Sequence, residues 1–331
     1  MVIVIGGAGY VGSHVCKYLG RAGVRVEVID NLSTGNRSSV LGKRLHVIDI
    51  LNRRDLDSFF KENAADIDVV MHFAAKSLVS ESIDDPAVYY RNNVDGVLNV
   101  LDAMHKNNIN NFVFSSTAAT FGEPEYLPID ENHSQKPINP YGRSKLMVEE
   151  VLKDYSSAYG INSVSLRYFN ACGADPENEI GEMHDPETHL LPLILQAASG
   201  RRSDICVFGR DYDTPDGTCI RDYVHVMDLY QAHEAAMREL ITSKKKGAFS
   251  YNLGNGSGFS VQEVIDVARK VVAEDNKTIK VIDKPRRCGD PARLVADSTI
   301  AKQELRWIPR FAELEVIIRH AWAWEKKVAG L

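Results

Sequence analysis

The sequence contains no Cys-x-x-Cys pair; its five cysteines, Cys16, Cys172, Cys206, Cys219 and Cys288, are odd in number and scattered along 331 residues. That pattern argues against a disulfide framework and against a cysteine-ligated zinc site, and predicts small buried residues in a reducing compartment. Long apolar runs are missing as well, so no membrane-spanning helix is expected. No basic leader precedes Val2-Ile3-Val4-Ile5, so no secretory signal is read there. Basic stripes are also lacking. The longest, Lys244-Lys245-Lys246, reads as a solvated loop in a chain whose 45 Asp plus Glu outnumber 39 Lys plus Arg, for a net charge of -6. Neither nucleic acid nor an anionic membrane is expected as a partner. Together these absences predict a cytoplasmic globular protein.

The composition is ordinary for such a protein, 44% hydrophobic and 25% charged, and the length accommodates one large domain or two smaller ones. Val2–Ile5, Val24–Ile29, Leu45–Ile48, Val69–Phe73 and Phe112–Ser115 are short apolar or β-branched runs, the mark of strands buried on both faces. Helical patterns separate them at Val11–Arg21, Arg54–Asn63, Ala87–Lys106 and Tyr141–Ala158. Strand and helix alternating in this way predict a doubly wound α/β domain, because each parallel strand pair needs a crossover. After about residue 170 the rhythm loosens. Asp175–His189 and Asp211–Thr218 read as surface loops, and helices follow near Val261–Glu274 and Glu313–Lys327. A smaller, mixed α/β C-terminal domain is expected. His184 and His189 fall in the acidic loop without helical i, i+4 spacing, on a proline-broken segment where ligands have no evident reason to converge, so no metal site is expected.

Between the first strand and the first helix lies Gly6-Gly7-Ala8-Gly9-Tyr10-Val11-Gly12. In this G-x-x-G-x-x-G spacing Gly6 permits a tight turn, Gly9 lets a pyrophosphate approach the backbone, and Gly12 lets helix and strand pack closely. The helix N-terminus adds N–H groups and a positive dipole end. Asp30, at the end of the second strand, suits both hydroxyls of an adenosine ribose and repels a 2′-phosphate, and no arginine adjoins it in Asn31-Leu32. The reading is NAD rather than NADP. Asp49, taken to end the third strand, is placed to reach an adenine amino group.

Tyr141-Gly142-Arg143-Ser144-Lys145 follows Asn139-Pro140, and the i, i+4 spacing puts the phenol and the amine on one helix face. A phenol of pKa about 10 is a poor base at neutral pH, but a nearby ammonium and an oxidised nicotinamide both favour its phenolate. On this reading Lys145 lowers the Tyr141 pKa and holds the nicotinamide ribose. Phe114-Ser115-Ser116-Thr117-Ala118-Ala119-Thr120-Phe121-Gly122 ends a strand, at the edge where parallel sheets bind ligands, so Thr117 can meet a reacting sugar hydroxyl beside Tyr141.

With these motifs in order, the sequence resembles the extended short-chain dehydrogenase/reductase family, and within it the UDP-glucose 4-epimerases. The likeness runs through Gly6–His14, Val28–Leu32, His72-Phe73-Ala74-Ala75, Tyr90–Val94, Phe114–Thr117, Tyr141–Glu149, Leu166–Asn170, Gly217–Asp228, Tyr251–Gly256 and Pro285–Asp290. The resemblance implies a Rossmann-like NAD-binding domain over residues 1–170, with about 222–245 returning to it, and a nucleotide-sugar-binding domain mainly over 171–331. It implies Tyr141 as acid/base, Lys145 as its partner and Thr117 as helper. It also implies Tyr10, Val11, Asn31, Ile50, Phe73, Ala74, Asn93, Ser115 and Tyr168 along the cofactor. On the substrate side it implies Asn170, Arg221 and Arg287 at the diphosphate, Asp290 at the uridine ribose and Phe208 at the uracil, with His189 and Leu190 near the sugar. The implied reaction inverts carbon 4 of a UDP-hexose through a transient 4-keto sugar, in a homodimer paired through Ala87–Lys106 and Tyr141–Ala158.

Some positions depart from the family pattern. Phe121 stands for a common tyrosine, Ser77 for a lysine near the cofactor phosphates in some members, and His189 for asparagine. Leu294 occupies a wall position where some members carry tyrosine, which implies room for an N-acetyl group. Other UDP-sugar 4-epimerases, acting on UDP-N-acetylglucosamine or a UDP-pentose, are alternatives, as are a decarboxylase and a reductase. A 4,6-dehydratase needs an acid and base directly after Thr117, where Ala118 and Ala119 cannot exchange protons. A non-catalytic NAD-binding protein would need no Tyr-Lys pair.

Overall fold

The computed structural model describes residues 1–242, 246–287 and 290–331, so Lys244, Lys245 and Cys288 lie outside the described residues. The four described cysteines, Cys16, Cys172, Cys206 and Cys219, are free. Among the described residues no helix is long and apolar enough to cross a membrane.

All four residues of β1 (Val2–Ile5) are β-branched and buried, which suits the middle of a sheet covered on both faces. From that centre the chain runs outward through α1 (Tyr10–Arg21), β2 (Val26–Ile29) and β3 (Arg44–His46). After α2 (Arg53–Asn63) it crosses back to the other side with β4 (Val69–His72), α3 (Val79–Asp84), α4 (Pro86–Tyr90), α5 (Gly96–Lys106) and β5 (Asn111–Thr117). α6 (Pro140–Tyr159) and β6 (Asn162–Tyr168) extend that half. β7 (Asn170–Cys172), α7 (Leu190–Ser199) and β8 (Ile205–Phe208) then leave the sheet. β9 (Ile220–His225), α8 (Val226–Thr242) and β10 (Ala248–Leu253) bring the chain back. The remainder is β11 (Gly258–Ser260), α9 (Val261–Ala273), β12 (Val281–Lys284), β13 (Arg293–Leu294), α10 (Thr299–Glu304) and α11 (Leu314–Ala329).

The large sheet is parallel throughout, in the order β10-β6-β5-β4-β1-β2-β3. Alternation along β1 feeds two cores. Val2 and Val4 face Cys16, Leu19 and Leu229 on the α1/α8 side, while Ile3 and Ile5 face Phe60, Val100 and Leu152 on the α2/α5/α6 side. A third core gathers α7, α9 and α11 beneath the small sheets, with Ile194, Val264, Ile265 and Ile317 fully buried. There β9 pairs with β7, β11 and β13, and β8 pairs with β12.

The expected elements are present, with three corrections. The return to the large sheet does not stop near residue 245: β10 carries it to Leu253 as the outermost strand beside β6. The run Ala87–Lys106 is not one regular α-helix, because a π turn at Arg91–Asp95 separates α4 from α5. Directly after it, a Cβ on Gly96 would lie 2.5 Å from Ile50 Cδ1, so a bare residue lets the helix settle on Ile50. Asp49 lies three residues beyond β3 rather than at its end.

His72, the last residue of β4, is completely buried beside Phe112 and Phe114, with Nε2 2.9 Å from the Ala74 carbonyl. Burial, helped by the Lys145 charge, lowers its pKa to about 3. Below pH about 6.5 the unfolded chain takes up a proton that the folded chain refuses, so stability contributed above that pH is lost on acidification. His72→Gln keeps a donor for Ala74 and removes the titration. The stability gap between wild type and variant is expected to narrow by about 2 kcal/mol between pH 7 and pH 5, read from urea unfolding at each pH. A gap that stays constant contradicts this account of His72.

Candidate active site

The glycine loop sits at the carboxyl edge of the sheet, where the strand order reverses between β1 and β4. Gly6 has φ +80°, and a Cβ there would come within 2.5 Å of the Ala74 backbone nitrogen. A Cβ on Gly12 would fall 2.4 Å from the Gly6 carbonyl oxygen. Both glycines are therefore required by the chain's own packing. Gly9 is different: an added Cβ would meet only the Gly6 oxygen, at 3.3 Å, so its bareness leaves the face of the loop open to an approaching group. α1 starts at Gly9 without a side-chain cap, which leaves its first turn suited to an anion. Tyr10 is buried and donates to the Gly173 carbonyl at 2.7 Å, while Val11 packs against the α1/α8 core.

Asp30 holds this loop from below. Its carboxylate accepts the Ala8 N–H at 2.9 Å and the Leu32 N–H at 2.8 Å, and burial raises its pKa against those two bonds. Each oxygen keeps a second lone pair for a further donor. Asn31 Nδ2 donates to Asp49 at 2.9 Å, which brings those two residues together at the rim. Ile50 is buried against Gly96. Phe73 and Ala74 both donate backbone N–H groups to the Ile5 carbonyl, and the Phe73 ring lies 4.7 Å from that of His233.

The Tyr-Lys helix is seated by its own first turn. The Asn139 side chain caps α6 by accepting the Gly142 N–H at 2.8 Å, and Pro140 occupies the start. A Cβ on Gly142 would lie 2.3 Å from the Ala119 carbonyl oxygen, so the glycine lets α6 press onto the end of β5. Tyr141 then comes beside the Thr117 hydroxyl, which lowers its pKa. Lys145 is 2% exposed, donates to the Ser115 carbonyl at 2.8 Å and stands 4.7 Å above the Phe114 ring. Ser115 Oγ meets the Tyr168 hydroxyl. Asn93, inside the π turn, exchanges hydrogen bonds with the Lys76 backbone at 2.8 and 2.9 Å and donates to Ser144 at 3.0 Å, tying the loop after β4 to α6.

The electrostatics differ from the sequence expectation. Burial raises the Tyr141 pKa, and the group that lowers it is the Thr117 hydroxyl. Lys145 is turned to the Ser115 carbonyl, and burial pushes its own pKa down to about 7 against the pull of Glu149. Glu149 itself escaped the sequence reading. It lies one turn beyond Lys145, accepts from Ser116, and takes Arg167 Nε at 3.0 and 3.1 Å. The i+4 spacing was the available signal, but an acid on a long helix is far more often solvated.

The substrate-side residues come from the small sheets and the loops beside them. Asn170 is exposed in β7, opposite Tyr223 of β9. Arg221 in β9 forms an ion pair with Asp290, so two residues assigned to separate parts of a nucleotide bind each other here. The Arg287 guanidinium lies 3.9 Å from the centre of the Phe208 ring, covering the face assigned to uracil. Leu294 packs with Ala118, Phe121, Ile129 and Phe169, which brings it to the segment after Thr117. His189 bonds Glu182, and Leu190 packs into the α7/α9/α11 core. Asp175–His189 is more than a surface loop. Asp175 is 1% exposed and paired with Lys17 Nζ at 2.5 Å, and Trp324 Nε1 donates to the Glu182 carbonyl at 3.0 Å. Asp222, fully buried, accepts the N–H groups of Asn255, Gly256 and Ala296 and so anchors β9.

A doubly wound parallel sheet with a glycine loop and a Tyr-Lys couple at the same carboxyl edge defines a dinucleotide-using enzyme of the Rossmann type. The chain belongs to the NAD dependent epimerase/dehydratase family, whose profile matches residues 2–254. It is 47% identical to the UDP-glucose 4-epimerase of Halalkalibacterium halodurans, over 98% of this chain and 96% of that one. The crystal structure of UDP-glucose 4-epimerase from Brucella ovis in complex with NAD is similar at a TM-score of 0.92 and 46% identity, covering 97% of each chain. The Bifidobacterium longum enzyme in complex with NAD+ and UDP is similar at a TM-score of 0.92 and 35% identity, over 100% of this chain and 99% of that one.

Arg167 and Glu149 are 4% and 2% exposed, so each is the other's buried ion-pair partner. Arg167→Met leaves a buried carboxylate unpaired and is expected to cost about 3–5 kcal/mol of stability, measured by urea unfolding. Adding Glu149→Gln is expected to recover part of that loss. A single-variant cost below about 1 kcal/mol would show that water or another cation serves Glu149.

Proposed function

We propose that this protein interconverts UDP-galactose and UDP-glucose by inverting carbon 4 of the sugar, with NAD held at the glycine loop. The observation that carries the reading is the seating of Tyr141, Thr117 and Lys145 around the end of β5, at the same sheet edge as that loop. The residues present fit the cofactor. Gly9 leaves room at the loop, α1 offers an uncapped N-terminus, and Asp30 has lone pairs for ribose hydroxyls at the end of β2. NAD supplies the acceptor and donor of hydride for carbon 4.

The chain's own groups handle the proton. The Thr117 and Tyr141 hydroxyls are neighbours, so a sugar 4-hydroxyl placed between them passes its proton to the phenolate oxygen of Tyr141. Because burial raises the phenol, positive charge from Lys145 and from the bound cofactor has to offset it. The same proton returns from Tyr141 once the 4-keto sugar has turned its other face. That turn requires a firm grip on the nucleotide and a loose one on the hexose. Arg221, Arg287, Asp290, Asn170 and Phe208 are the residues for the grip, which asks Arg221 and Asp290 to part and Arg287 to leave the Phe208 ring. His189 and Leu190 lie on the sugar side. Ala118 and Ala119 follow Thr117 with no group that exchanges protons, which favours epimerisation over dehydration.

The protein is proposed to act as a cytoplasmic homodimer. Free cysteines support a reducing compartment, and exposed Val88, Met147 and Tyr159 on α4 and α6 support pairing through those helices. Sedimentation of the purified protein then gives about twice the 36.8 kDa chain mass; a single-chain mass overturns the dimer.

Purified protein incubated with UDP-galactose and no added NAD is expected to yield UDP-glucose, and Tyr141→Phe to lower kcat by about 10²–10⁴-fold. No product from wild type, or an unchanged rate in the variant, defeats the reading. Leu294 sets the room beside the sugar 2-substituent, so Leu294→Tyr is expected to depress kcat/KM for UDP-N-acetylglucosamine about tenfold more than for UDP-glucose. Equal losses on both substrates remove Leu294 from the pocket wall.

A further inference from the structure

The loop before α7 carries four side chains that the proposed reaction leaves without a common task. Glu182, His184, Glu187 and His189 each offer a ligand atom, and these atoms all lie within 4.8 Å of one another. His184 Nδ1 is 3.0 Å from Glu182 and 3.7 Å from Glu187, and His189 Nδ1 faces the same Glu182 oxygen. Nothing in the order of residues predicted that these groups converge. The fold supplies one by pinning the loop at both ends. Trp324 of α11 donates to the Glu182 carbonyl at 3.0 Å, and the Glu187 carboxylate accepts the Thr188 and His189 N–H groups at 2.7 and 2.9 Å at the head of α7.

The charge arrangement separates this cluster from an ordinary acidic patch. Both carboxylates are buried, with 5% of each side chain exposed, and among the described residues their ion-pair partners are imidazoles alone. A neighbouring group, Asp175, Glu177 and Glu179, has the opposite character. Lys17 Nζ enters it at 2.5, 3.1 and 2.8 Å and Arg21 closes its rim, so protein cations already fill it. Near Glu182 and Glu187 no lysine or arginine of the described residues does this. Two buried carboxylates flanked by two imidazoles match one divalent cation in both charge and donor type.

We propose that Glu182, His184, Glu187 and His189 form a binding site for a divalent transition-metal ion, with zinc as the best-suited occupant. Two nitrogens and two carboxylate oxygens are a common zinc donor set, and bonds of ~2.0–2.2 Å require the widest pair of ligand atoms to close by roughly 1 Å through side-chain rotation. An entry path exists, because Glu182, His184 and Glu187 border a cavity of ≈ 430 Å³ that also reaches Arg201 and Glu325. All four protein positions are taken, so the ion is structural. It fastens the stretch that ends in His189 and Leu190, and thereby the start of α7. The site goes beyond the epimerase reading, and its test reads metal rather than turnover.

Full-length protein without an affinity tag, stripped with a chelator, is titrated with zinc chloride in competition with a chromophoric chelator. One ion per chain is expected to bind with a Kd of about 1 µM or tighter. His184→Ala and Glu187→Gln, made separately and checked for native circular dichroism, are each expected to weaken binding at least about tenfold. Cobalt(II) added to the stripped wild type is expected to give the visible d–d bands of a four-coordinate site, absent from both variants. Wild-type protein that binds no stoichiometric zinc overturns the proposal. So does undiminished zinc affinity in either folded variant, which would place the ion elsewhere.

Discussion

The contact of α6 with the end of β5 is the constraint on which the chemistry depends. Three residues on one stripe of that helix meet the strand and the turn after it: Gly142 against the Ala119 carbonyl, Lys145 on the Ser115 carbonyl and Glu149 on the Ser116 hydroxyl. Their spacing of three and four residues is that of a single helix face. Tyr141 takes its place from this seating, because Asn139 caps the turn that carries it and Gly142 removes the Cβ that would hold the helix away. Thr117 is the last residue of the same strand, so phenol and hydroxyl meet without any loop having to be ordered first. The catalytic couple is positioned by regular secondary structure, which is stiffer than a loop.

Burial then sets the proton chemistry. Desolvation pushes the Tyr141 phenol up and the Lys145 amine down to about 7, so the two groups are driven apart in proton affinity until charge from the bound cofactor offsets it. Glu149 opposes the fall at Lys145 and pairs with Arg167. The same principle recurs away from the couple. Lys17 neutralises the Asp175 end of the loop before α7, while the Glu182 end relies on imidazoles. Charges in this protein are buried where they fasten one element to another: α6 to β5 and β6, and α1 to the loop before α7.

The two halves of the molecule perform different physical tasks. The large parallel sheet presents backbone edges, bare glycines and a helix end, all suited to a rigid dinucleotide. The small sheets present long side chains that now hold each other, Arg221 with Asp290 and Arg287 over Phe208. Such pairs exchange partners at modest cost because each guanidinium finds a phosphate or carboxylate equally well. β10 returns the chain to the large sheet between these halves, and Asp222 clamps the amides of Asn255, Gly256 and Ala296 to β9. The halves are thereby interwoven rather than joined by one linker.

The features readable from residue order alone are local and periodic. Four-residue β-branched runs announced buried parallel strands, the glycine spacing announced the loop at the first crossover, and Tyr141 with Lys145 announced a shared helix face. Each is encoded within a few residues, where steric and spacing rules act directly. Strand β10 was missed although Phe249, Tyr251 and Leu253 alternate with Ser250 and Asn252, because one six-residue run carries no sign of which sheet it joins. The π turn at Arg91–Asp95 was hidden for a similar reason, because its composition is that of an ordinary helix. Which charges meet is settled in three dimensions alone: Glu149 with Arg167, Arg221 with Asp290, and Glu182 with His184 and His189. Coulomb energy depends on distance and desolvation, and neither is written in the order of residues along a chain.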